Sequence, residues 1–143
     1  MKQIRVAILG QGRSGRDIHG RHLLTDTENF KIVAVAEPIA HRRERAAKEY
    51  GCETFKDYTE LFGRQDIDLV INATPSHLHY PITTDLLNHS FNVLCEKPLT
   101  RRVTEVDDMI AASKKSGKLF AIFQQSRYAP YYQQVRKAVD SGA

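Results

Sequence analysis

The sequence predicts an α/β fold, a doubly wound parallel sheet between two layers of helices. Two observations predict it: apolar, β-branched segments alternate with helix-length segments along all 143 residues, and no repeat or low-complexity stretch interrupts them. The strand segments are almost continuously apolar, as expected where helices cover both faces of a sheet. A chain of this length forms one domain whose core needs no disulfide.

Strands and helices are predicted in alternating order. Five strands are predicted at residues 3–9, 31–36, 67–72, 91–95 and 118–123, with a short extended segment at 53–55. Helices are predicted at residues 14–24, 40–50, 57–63, 77–89 and 103–116. Leu78, Ile82 and Leu86 recur at helical spacing and give one helix an apolar face for the sheet. Gly51 and Gly117 stand where helix C-caps belong.

A last helix is predicted to begin at Pro130, and it differs from the others. Its apolar stripe consists of Tyr131, Val135, Ala138 and Val139, and little chain follows it. Either this helix packs back onto the domain, or it leads into a further part of the protein. If the stripe is exposed, it should promote self-association. We also expect the protein to be a homo-oligomer.

The composition argues against several classes of protein. The net charge is +4 and the pI about 9.1, but acidic residues interleave with the basic clusters, which favours solvated helix faces over a nucleic-acid surface. Cys52 and Cys95 fit no disulfide or zinc pattern, and His77 and His79 face different directions, so no metal is expected. Without a signal peptide or a membrane-length apolar run, we expect a cytoplasmic protein with no membrane or nucleic-acid partner.

The first predicted strand runs directly into the motif G-x-G-x-x-G. Gly10 permits a tight turn out of the strand, Gly12 leaves the backbone open to a phosphate, and Gly15 lets the following helix pack on the strand. The N-terminus of that helix, with Arg13 and Ser14 in the loop, would face the anion. The motif alone is weak, because such turns also occur where nothing binds.

An acidic residue in the expected place strengthens this motif. Glu37 ends the second predicted strand, 22 residues after Gly15, where a carboxylate accepts hydrogen bonds from a ribose hydroxyl. Strand, loop, helix, strand and acid in this order predict a dinucleotide-binding Rossmann domain. A carboxylate repels the 2′-phosphate of NADP, which favours NAD as the cofactor. Arg42 and Arg43 leave NADP open, because guanidinium groups bind phosphate.

Three later stretches narrow the class of protein. They are Asn72-Ala73-Thr74-Pro75-Ser76-His77-Leu78-His79, Cys95-Glu96-Lys97-Pro98-Leu99 and Gln125-Ser126-Arg127-Tyr128-Ala129-Pro130. Together with the glycine loop, they resemble the N-terminal domain of the glucose–fructose oxidoreductase, inositol 2-dehydrogenase and MocA-like oxidoreductase family. The similarity spans essentially the whole chain, and Glu-Lys-Pro is its most discriminating motif.

The resemblance implies roles for residues at the ends of several strands. Lys97 is implied as the catalytic residue, which hydrogen-bonds or protonates the reacting oxygen. Glu96 is implied to help hold the nicotinamide ribose, and the bond between Lys97 and Pro98 to be cis. Cofactor contacts are further implied for Thr74, His79 and Arg127. In this family pattern Ser76 stands in place of an asparagine.

Elementary chemistry supports the choice of Lys97. The carboxyl ends of parallel strands line the crevice where ligands bind, so Lys97 and the glycine loop should share one rim. Partial desolvation beside a cationic nicotinamide favours the neutral amine, which can accept a proton while hydride leaves the alcohol carbon. His19, on the first helix, is expected to be a packing or capping residue rather than a catalyst.

We therefore expect the NAD(P)-binding domain of an oxidoreductase that transfers hydride between a nicotinamide cofactor and a sugar, inositol or related polyol hydroxyl. Residues 1–124 would form the Rossmann domain, and residues 125–143 would lead to a C-terminal substrate domain absent from this chain. Alone, the chain should bind cofactor without turnover. The alternative is a stand-alone dinucleotide sensor without catalysis, against which Glu96 and Lys97 argue, since a sensor needs no proton-transfer lysine.

Overall fold

The computed structural model describes residues 3–142, and its centre is a six-stranded sheet. The strands are β1 (Ile4–Leu9), β2 (Phe30–Ala36), β3 (Glu53–Phe55), β4 (Leu69–Asn72), β5 (Val93–Cys95) and β6 (Phe120–Ile122). Their order is β3-β2-β1-β4-β5-β6, and all neighbouring strands are parallel. The predicted doubly wound parallel sheet is confirmed, and the short segment at 53–55 is one of its edge strands.

Helical segments connect these strands. The first connection begins as a π-helical segment, Arg13–Gly20, and continues as α1 (Arg21–Thr25). The other α-helices are α2 (Ala40–Tyr50), α3 (His79–Asn88), α4 (Val103–Ser116) and α5 (Pro130–Asp140). Single 3₁₀ turns occupy Tyr58–Leu61, Ser76–Leu78 and Gln125–Tyr128. Within residues 3–142, no helix is both long and apolar enough to cross a membrane.

The helix predicted at residues 57–63 forms only a short turn. Tyr58–Leu61 is a 3₁₀ turn, closed at its start by a capping box. The carboxylate of Asp57 accepts a backbone N–H of the turn, and the carboxylate of Glu60 accepts the backbone N–H of Asp57 at 2.9 Å. Gly63, at a φ of 81°, then turns the chain away. The segment is therefore capped like the start of a helix but ends after one turn, and the predicted α-helix does not form.

The two faces of the sheet bury separate apolar cores. Along β1, Ala7 and Leu9 point into the core shared with α3 and α4, whereas Val6 and Ile8 point into the core shared with α1 and α2. All four side chains are completely buried. Side chains of a strand alternate between faces, so a continuously apolar strand needs helices on both sides. The three-layer α/β/α arrangement predicted from the sequence follows from this burial.

The sheet extends from β1 in both directions, with β2 and β3 on one side and β4, β5 and β6 on the other. The partner of β1 on one side is β2, and on the other side it is β4. Leu9, the last residue of β1, pairs with Ala36 at the end of β2 and with Asn72 at the end of β4. The loops that follow these three residues therefore diverge from the same level, which opens a crevice at the carboxyl edge.

Helix α5 stands apart from both cores. None of its residues is buried, and the large apolar side chains of Tyr131, Val135 and Val139 are exposed. Its hydrogen bonds to the preceding turn, such as that from the Gln133 side chain to the Arg127 carbonyl at 2.6 Å, are local. The predicted apolar stripe thus exists and is open to solvent in this chain.

Candidate dinucleotide site

A groove of about 730 Å³ lies at the carboxyl ends of β1, β2 and β4. Its walls include Gly10, Gly12, Glu37 and Thr74, which come from three different loops. A volume of this size is within the range of small-molecule and cofactor sites. The topology therefore brings the predicted residues of the glycine loop, the strand-ending acid and the β4 loop into one cavity.

The three glycines of the loop meet different surroundings. Gly10 has a φ of 86°, and a Cβ atom there would lie 2.6 Å from the carbonyl oxygen of Ala73. A Cβ atom on Gly15 would collide with the carbonyl oxygen of Gly10. A Cβ atom on Gly12 would meet nothing within 4 Å. Gly10 and Gly15 are thus required by the packing of the protein, whereas Gly12 borders space that a ligand can fill.

The segment that follows Gly12 presents a free helix start to the groove. Arg13 and Ser14 line the groove, and Arg13 is exposed. Gly12 is the N-cap, and no hydrogen bond from a side chain in the described part of the chain caps this segment. Uncapped N–H groups and the positive end of the helix dipole attract an anion. The arrangement suits a phosphate or pyrophosphate group.

Glu37 is buried at the groove wall and is held in place by backbone donors. One carboxylate oxygen accepts the N–H of Gln11 at 2.7 Å, and the other accepts the N–H of Ile39 at 3.0 Å. Each oxygen keeps a second lone pair for another donor. Arg42 lies close by, with a guanidinium nitrogen 3.8 Å from the carboxylate. The carboxylate is therefore fixed in orientation at the wall of the groove.

Arg43 is engaged elsewhere. Its guanidinium group donates to the carbonyl oxygens of Glu37 at 2.7 Å and Pro38 at 2.8 Å. Of the two arginines that left the choice of cofactor open, Arg43 thus holds the backbone at the end of β2, and Arg42 remains at the groove wall. This geometry weakens the case for a phosphate clamp made of both residues.

Gln11, a loop residue for which the sequence predicts no role, makes hydrogen bonds through both its backbone and its side chain. Besides the N–H bond to Glu37, its carbonyl oxygen accepts from Arg45 at 3.1 Å, and its side-chain oxygen accepts from the Tyr50 hydroxyl at 3.2 Å. Its side-chain amide donates to the carbonyl of Gly10 at 3.2 Å. Burial raises the pKa of Tyr50 to about 12. Helix α2 therefore fixes the glycine loop through contacts that no motif reveals.

Thr74 forms the wall on the β4 side. Its hydroxyl donates to the side-chain oxygen of the buried Asn72 at 2.7 Å. The Asn72 amide in turn donates to the hydroxyl of Thr83 at 3.1 Å and to the carbonyl of His79 at 3.3 Å. Asn72 thus orients Thr74, whose hydroxyl oxygen keeps a lone pair for a further donor. The sequence identifies Asn72 only as part of a motif. Its contact with the Thr74 hydroxyl is visible only in the structure.

Glu96 and Lys97 follow β5 at the same edge of the sheet. The backbone N–H of Glu96 donates to the carbonyl of Asn72 at 3.0 Å, which anchors the start of the loop. The buried carboxylate of Glu96 contacts the His19 ring nitrogen Nε2 at 3.0 Å and accepts the N–H of Lys97 at 3.1 Å. The Lys97 side chain is exposed, and the bond between Lys97 and Pro98 is cis, as expected. The desolvation expected around Lys97 is not supplied by this chain's own residues.

His19 contacts more than apolar neighbours. Its ring packs against Phe123 with a centroid distance of 4.4 Å, which agrees with the expected packing role. The additional contact with Glu96 was not predicted, because the two residues are 77 positions apart and no motif joins them. Burial lowers the pKa of His19, and this effect outweighs the opposing influence of the Glu96 carboxylate. The ring is therefore neutral at pH 7.

His79 lies behind the groove rather than in its wall. The ring is buried, with Nδ1 2.7 Å from the carbonyl oxygen of Pro98 and Nε2 2.8 Å from the carbonyl oxygen of Thr74. The side chain thus links the β4 loop to the Glu-Lys-Pro loop. Its predicted direct contact with a cofactor stays a prediction, and the geometry favours an effect through these two loops.

Arg127 lies outside the lining of the groove. It belongs to the 3₁₀ turn Gln125–Tyr128 after β6, and its side chain is exposed. It is not among the residues that line the groove, and neither are Glu96 and Lys97. The structure therefore gathers the glycine loop, Glu37 and Thr74 around one cavity and places Glu96 and Lys97 on the next strand of the same edge.

Known proteins share this fold and arrangement. The chain matches the sequence profile described as "Oxidoreductase family, NAD-binding Rossmann fold" over residues 4–124. It is 33% identical over 144 residues to inositol 2-dehydrogenase of Mycolicibacterium smegmatis, covering 99% of this chain and 41% of the relative. It is also 30% identical over 142 residues to 2,7-anhydro-N-acetylneuraminate hydratase of Mediterraneibacter gnavus, covering 99% and 37%.

A solved structure shows the same similarity. The crystal structure of scyllo-inositol dehydrogenase from Lactobacillus casei, with bound NAD(H) and scyllo-inositol, superposes with a TM-score of 0.86 at 27% identity. The superposition covers 99% of this chain and 42% of that one. Our chain thus spans about two fifths of the length of the relatives it matches. Since the family profile covers most of the chain and includes its glycine loop, the chain belongs to the oxidoreductase family with an NAD-binding Rossmann fold.

Proposed function

We propose that this chain is the cofactor-binding part of an oxidoreductase that transfers hydride between NAD and a hydroxyl-bearing carbon of a sugar, inositol or related polyol. The observation that carries the proposal is the fixed carboxylate of Glu37, which two backbone N–H groups orient at the wall of the glycine-loop groove. An acid held in this way accepts hydrogen bonds from a ribose diol and repels a 2′-phosphate.

Different residues of the groove would hold different parts of the cofactor. Gly12 and the uncapped N–H groups of Arg13 and Ser14 would hold the pyrophosphate, because Gly12 borders open space. Glu37, on the β2 side, would hold the adenosine ribose. Thr74, on the β4 side, would then face the nicotinamide half, since the two mononucleotide-binding halves lie on opposite sides of β1.

Lys97 is proposed as the proton-transfer residue. Bound NAD supplies the hydride acceptor, and the alcohol must lose its hydroxyl proton as hydride leaves the carbon. Lys97 follows β5, and its exposed side chain can turn towards a ligand at the carboxyl edge, where the neutral amine would accept that proton. Glu96, fixed by His19 and by the backbone of Lys97, would support the loop and the nicotinamide ribose.

The class of substrate rests on the named relatives. One is an inositol 2-dehydrogenase, and one solved neighbour holds scyllo-inositol together with NAD(H). A hydratase of an anhydro sugar acid is equally similar, so the family scaffold is compatible with more than one overall reaction. Most of the named relatives are inositol dehydrogenases, and Lys97 would supply the proton transfer that such a reaction needs, so a polyol or sugar dehydrogenase is the proposed class.

The domain division is also a proposal. Residues 1–124 would form the Rossmann domain, and residues 125–143, with α5, would form the junction to a substrate domain. Support comes from the family profile, which ends at residue 124, and from the absence of buried residues along α5. The small-molecule substrate would then be bound chiefly by that further domain, and the cytoplasmic location and homo-oligomeric state belong to the same proposal.

Calorimetric titration of the 143-residue chain with NAD and with NADP tests the cofactor half of the proposal. We expect NAD to bind at least about tenfold more tightly than NADP, because the Glu37 carboxylate repels the 2′-phosphate of NADP. No heat with either dinucleotide would refute it, and tighter binding of NADP would refute the assignment of Glu37.

The reaction itself is tested with the full open reading frame. If the frame continues past Ala143, the longer protein should form NADH from NAD with an inositol or sugar alcohol, and Lys97→Met should abolish this turnover while NAD binding stays. A natural stop codon after Ala143 would instead support a dinucleotide sensor. Turnover that survives in the Lys97→Met variant would contradict the catalytic role of Lys97.

A further inference from the structure

Two buried hydrogen bonds in series link the first helical segment to the loop that carries Lys97. His19 and Glu96 are each about 5% exposed, and their side chains meet at 3.0 Å. The second carboxylate oxygen of Glu96 accepts the backbone N–H of Lys97 at 3.1 Å. His19 lies in the same segment, Arg13–Gly20, that begins at the glycine loop. These bonds thus connect the proposed pyrophosphate-binding segment to the loop at the proposed nicotinamide end of the site.

The chemistry of the groups fixes the direction of these bonds. A carboxylate only accepts hydrogen bonds, so the neutral His19 ring must carry its proton on Nε2 and donate it to Glu96. A carboxylate buried without donors is strongly disfavoured, and the two donors together make its burial possible. Among residues 3–142, removal of the His19 donor would leave the Glu96 carboxylate with the Lys97 N–H as its partner, and we expect the carboxylate to move towards water.

Movement of Glu96 would also displace Lys97. The loop is held at its start by the bond from the Glu96 N–H to the Asn72 carbonyl, and beyond Lys97 by the contact between the Pro98 carbonyl and His79. Between these anchors, the bond from the Lys97 N–H to Glu96 is the one that ties the backbone of Lys97 itself. The orientation of the Lys97 side chain thus depends on where the Glu96 carboxylate is held.

We propose that His19 is a positioning residue, which holds Glu96 and thereby sets the backbone of Lys97 at the nicotinamide end of the site. This inference rests on the proposed function, since it assigns that end to the β5 loop. It goes beyond that function in coupling the phosphate-binding helical segment to the loop of the proton-transfer residue. Because His19 also packs on Phe123, the test must separate positioning from packing.

Two substitutions make that separation. His19→Phe keeps a ring against Phe123 but removes the donor, whereas His19→Gln keeps an N–H donor near the position of Nε2 but removes the ring. Leu23→Ala is the matched control, because Leu23 is buried in α1 and belongs to the core that this helix shares with the sheet. That variant loosens the same helical region without touching Glu96.

Two ligands report on the two ends of the site. NADH probes the whole groove, whereas ADP carries the adenosine and the diphosphate but neither the second ribose nor the nicotinamide. In the 143-residue chain, His19→Phe should weaken NADH binding about tenfold, the typical effect of losing a hydrogen bond to a charged group, because a displaced Glu96 no longer accepts from the nicotinamide ribose. ADP, which lacks this ribose, should bind within about twofold of its affinity for the unaltered chain. His19→Gln should recover most of the NADH affinity, and Leu23→Ala should not change the ratio of the two affinities.

The outcomes separate this inference from the proposed function. Failure of the unaltered chain to bind either ligand would refute the proposed function. Binding of NADH by His19→Phe with unchanged affinity, or an equal loss for both ligands, would overturn the positioning role and leave the proposed function standing.

If the variants do not fold, NMR of the ¹⁵N-labelled unaltered chain still decides. We expect a His19 ring protonated on Nε2 alone, and a Lys97 amide signal that shifts with NADH but not with ADP. Protonation on Nδ1 alone would overturn the inference.

Discussion

The carboxylate of Glu37 accepts the backbone N–H of Gln11 at 2.7 Å, so the acid that ends β2 closes directly onto the glycine loop. The same carboxylate accepts the N–H of Ile39 on its other oxygen. Glu37 therefore has a part in the structure of the loop as well as in the proposed recognition of ribose. A change at this position should affect the stability of the fold and the choice of cofactor together.

Glu37→Gln should lower the free energy of unfolding by about 1–3 kcal/mol. The glutamine amide has a single acceptor oxygen, so one of the two backbone N–H groups that bond to Glu37 loses its acceptor. It should also weaken NAD binding and reduce the preference for NAD over NADP, since the repulsion of the 2′-phosphate disappears. Urea unfolding and calorimetry measure the two effects. Glu44→Gln is the control, because Glu44 is an exposed acid on α2. Unchanged stability and an unchanged preference in Glu37→Gln would contradict this assignment.

Two glycines of the loop should respond in opposite ways to alanine. Gly15→Ala should destabilise the chain by about 1–3 kcal/mol or more, because its Cβ would collide with the Gly10 carbonyl. Gly12→Ala should leave the melting temperature unchanged or slightly raised and should weaken NAD binding, because its Cβ enters the space of the ligand. Thermal unfolding and NAD titration of both variants check this. A stable Gly15→Ala or an NAD affinity unaltered by Gly12→Ala would be inconsistent with the geometry.

The stability of the chain should fall as the pH drops below about 6.5 because of His19. The unfolded chain takes up the His19 proton near the ordinary pKa of 6.5, but burial lowers the pKa in the folded chain. Between these two pKa values the unfolded state binds more protons, so stability decreases as the pH falls. Urea unfolding at pH 7.5, 6.5 and 5.5 should show a smaller decrease for His19→Gln. Parallel profiles for the two proteins would exclude His19 as the source.

The exposed stripe of α5 should cause self-association in this chain. Val135 and Val139 are exposed, so joining two stripes would remove apolar area from water. Val135→Glu should shift the sedimentation profile towards monomer. Gln134→Glu adds the same charge at an exposed neighbouring position and should leave the profile unchanged. If the unaltered chain is a monomer at all concentrations, the exposed stripe does not cause self-association and the prediction is wrong.

Much of the fold was predictable because it depends on local pattern. Continuous apolar strands, helical spacing and the glycine caps at Gly51 and Gly117 act over a few residues, and they specify the alternation of strands and helices. The glycine loop and Glu37 were predictable because a tight turn and a strand-ending acid impose a fixed spacing. The helix predicted at 57–63 is wrong in length and type, because the turn Tyr58–Leu61 ends at Phe62 and the chain turns away at Gly63.

The supporting contacts of the site could not be predicted. Gln11 meets Tyr50 across 39 positions and His19 meets Glu96 across 77, and periodicity identifies the buried face of an element but not the partner of each side chain. The same limit applies to His79, for which the sequence suggests a ligand contact and the structure offers two backbone carbonyls. Side-chain orientation, which depends on the complete packing, decides these cases.

The most direct test of the central claim is a titration of the ¹⁵N-labelled chain with NAD, followed through its backbone amide signals. The account predicts shifts at Gly12, Ser14, Glu37 and Thr74 around the groove, and at Lys97 on the neighbouring strand end. Saturation of the chain with NAD without shifts at these amides, or with shifts confined to α5 and the opposite edge of the sheet, would contradict the site.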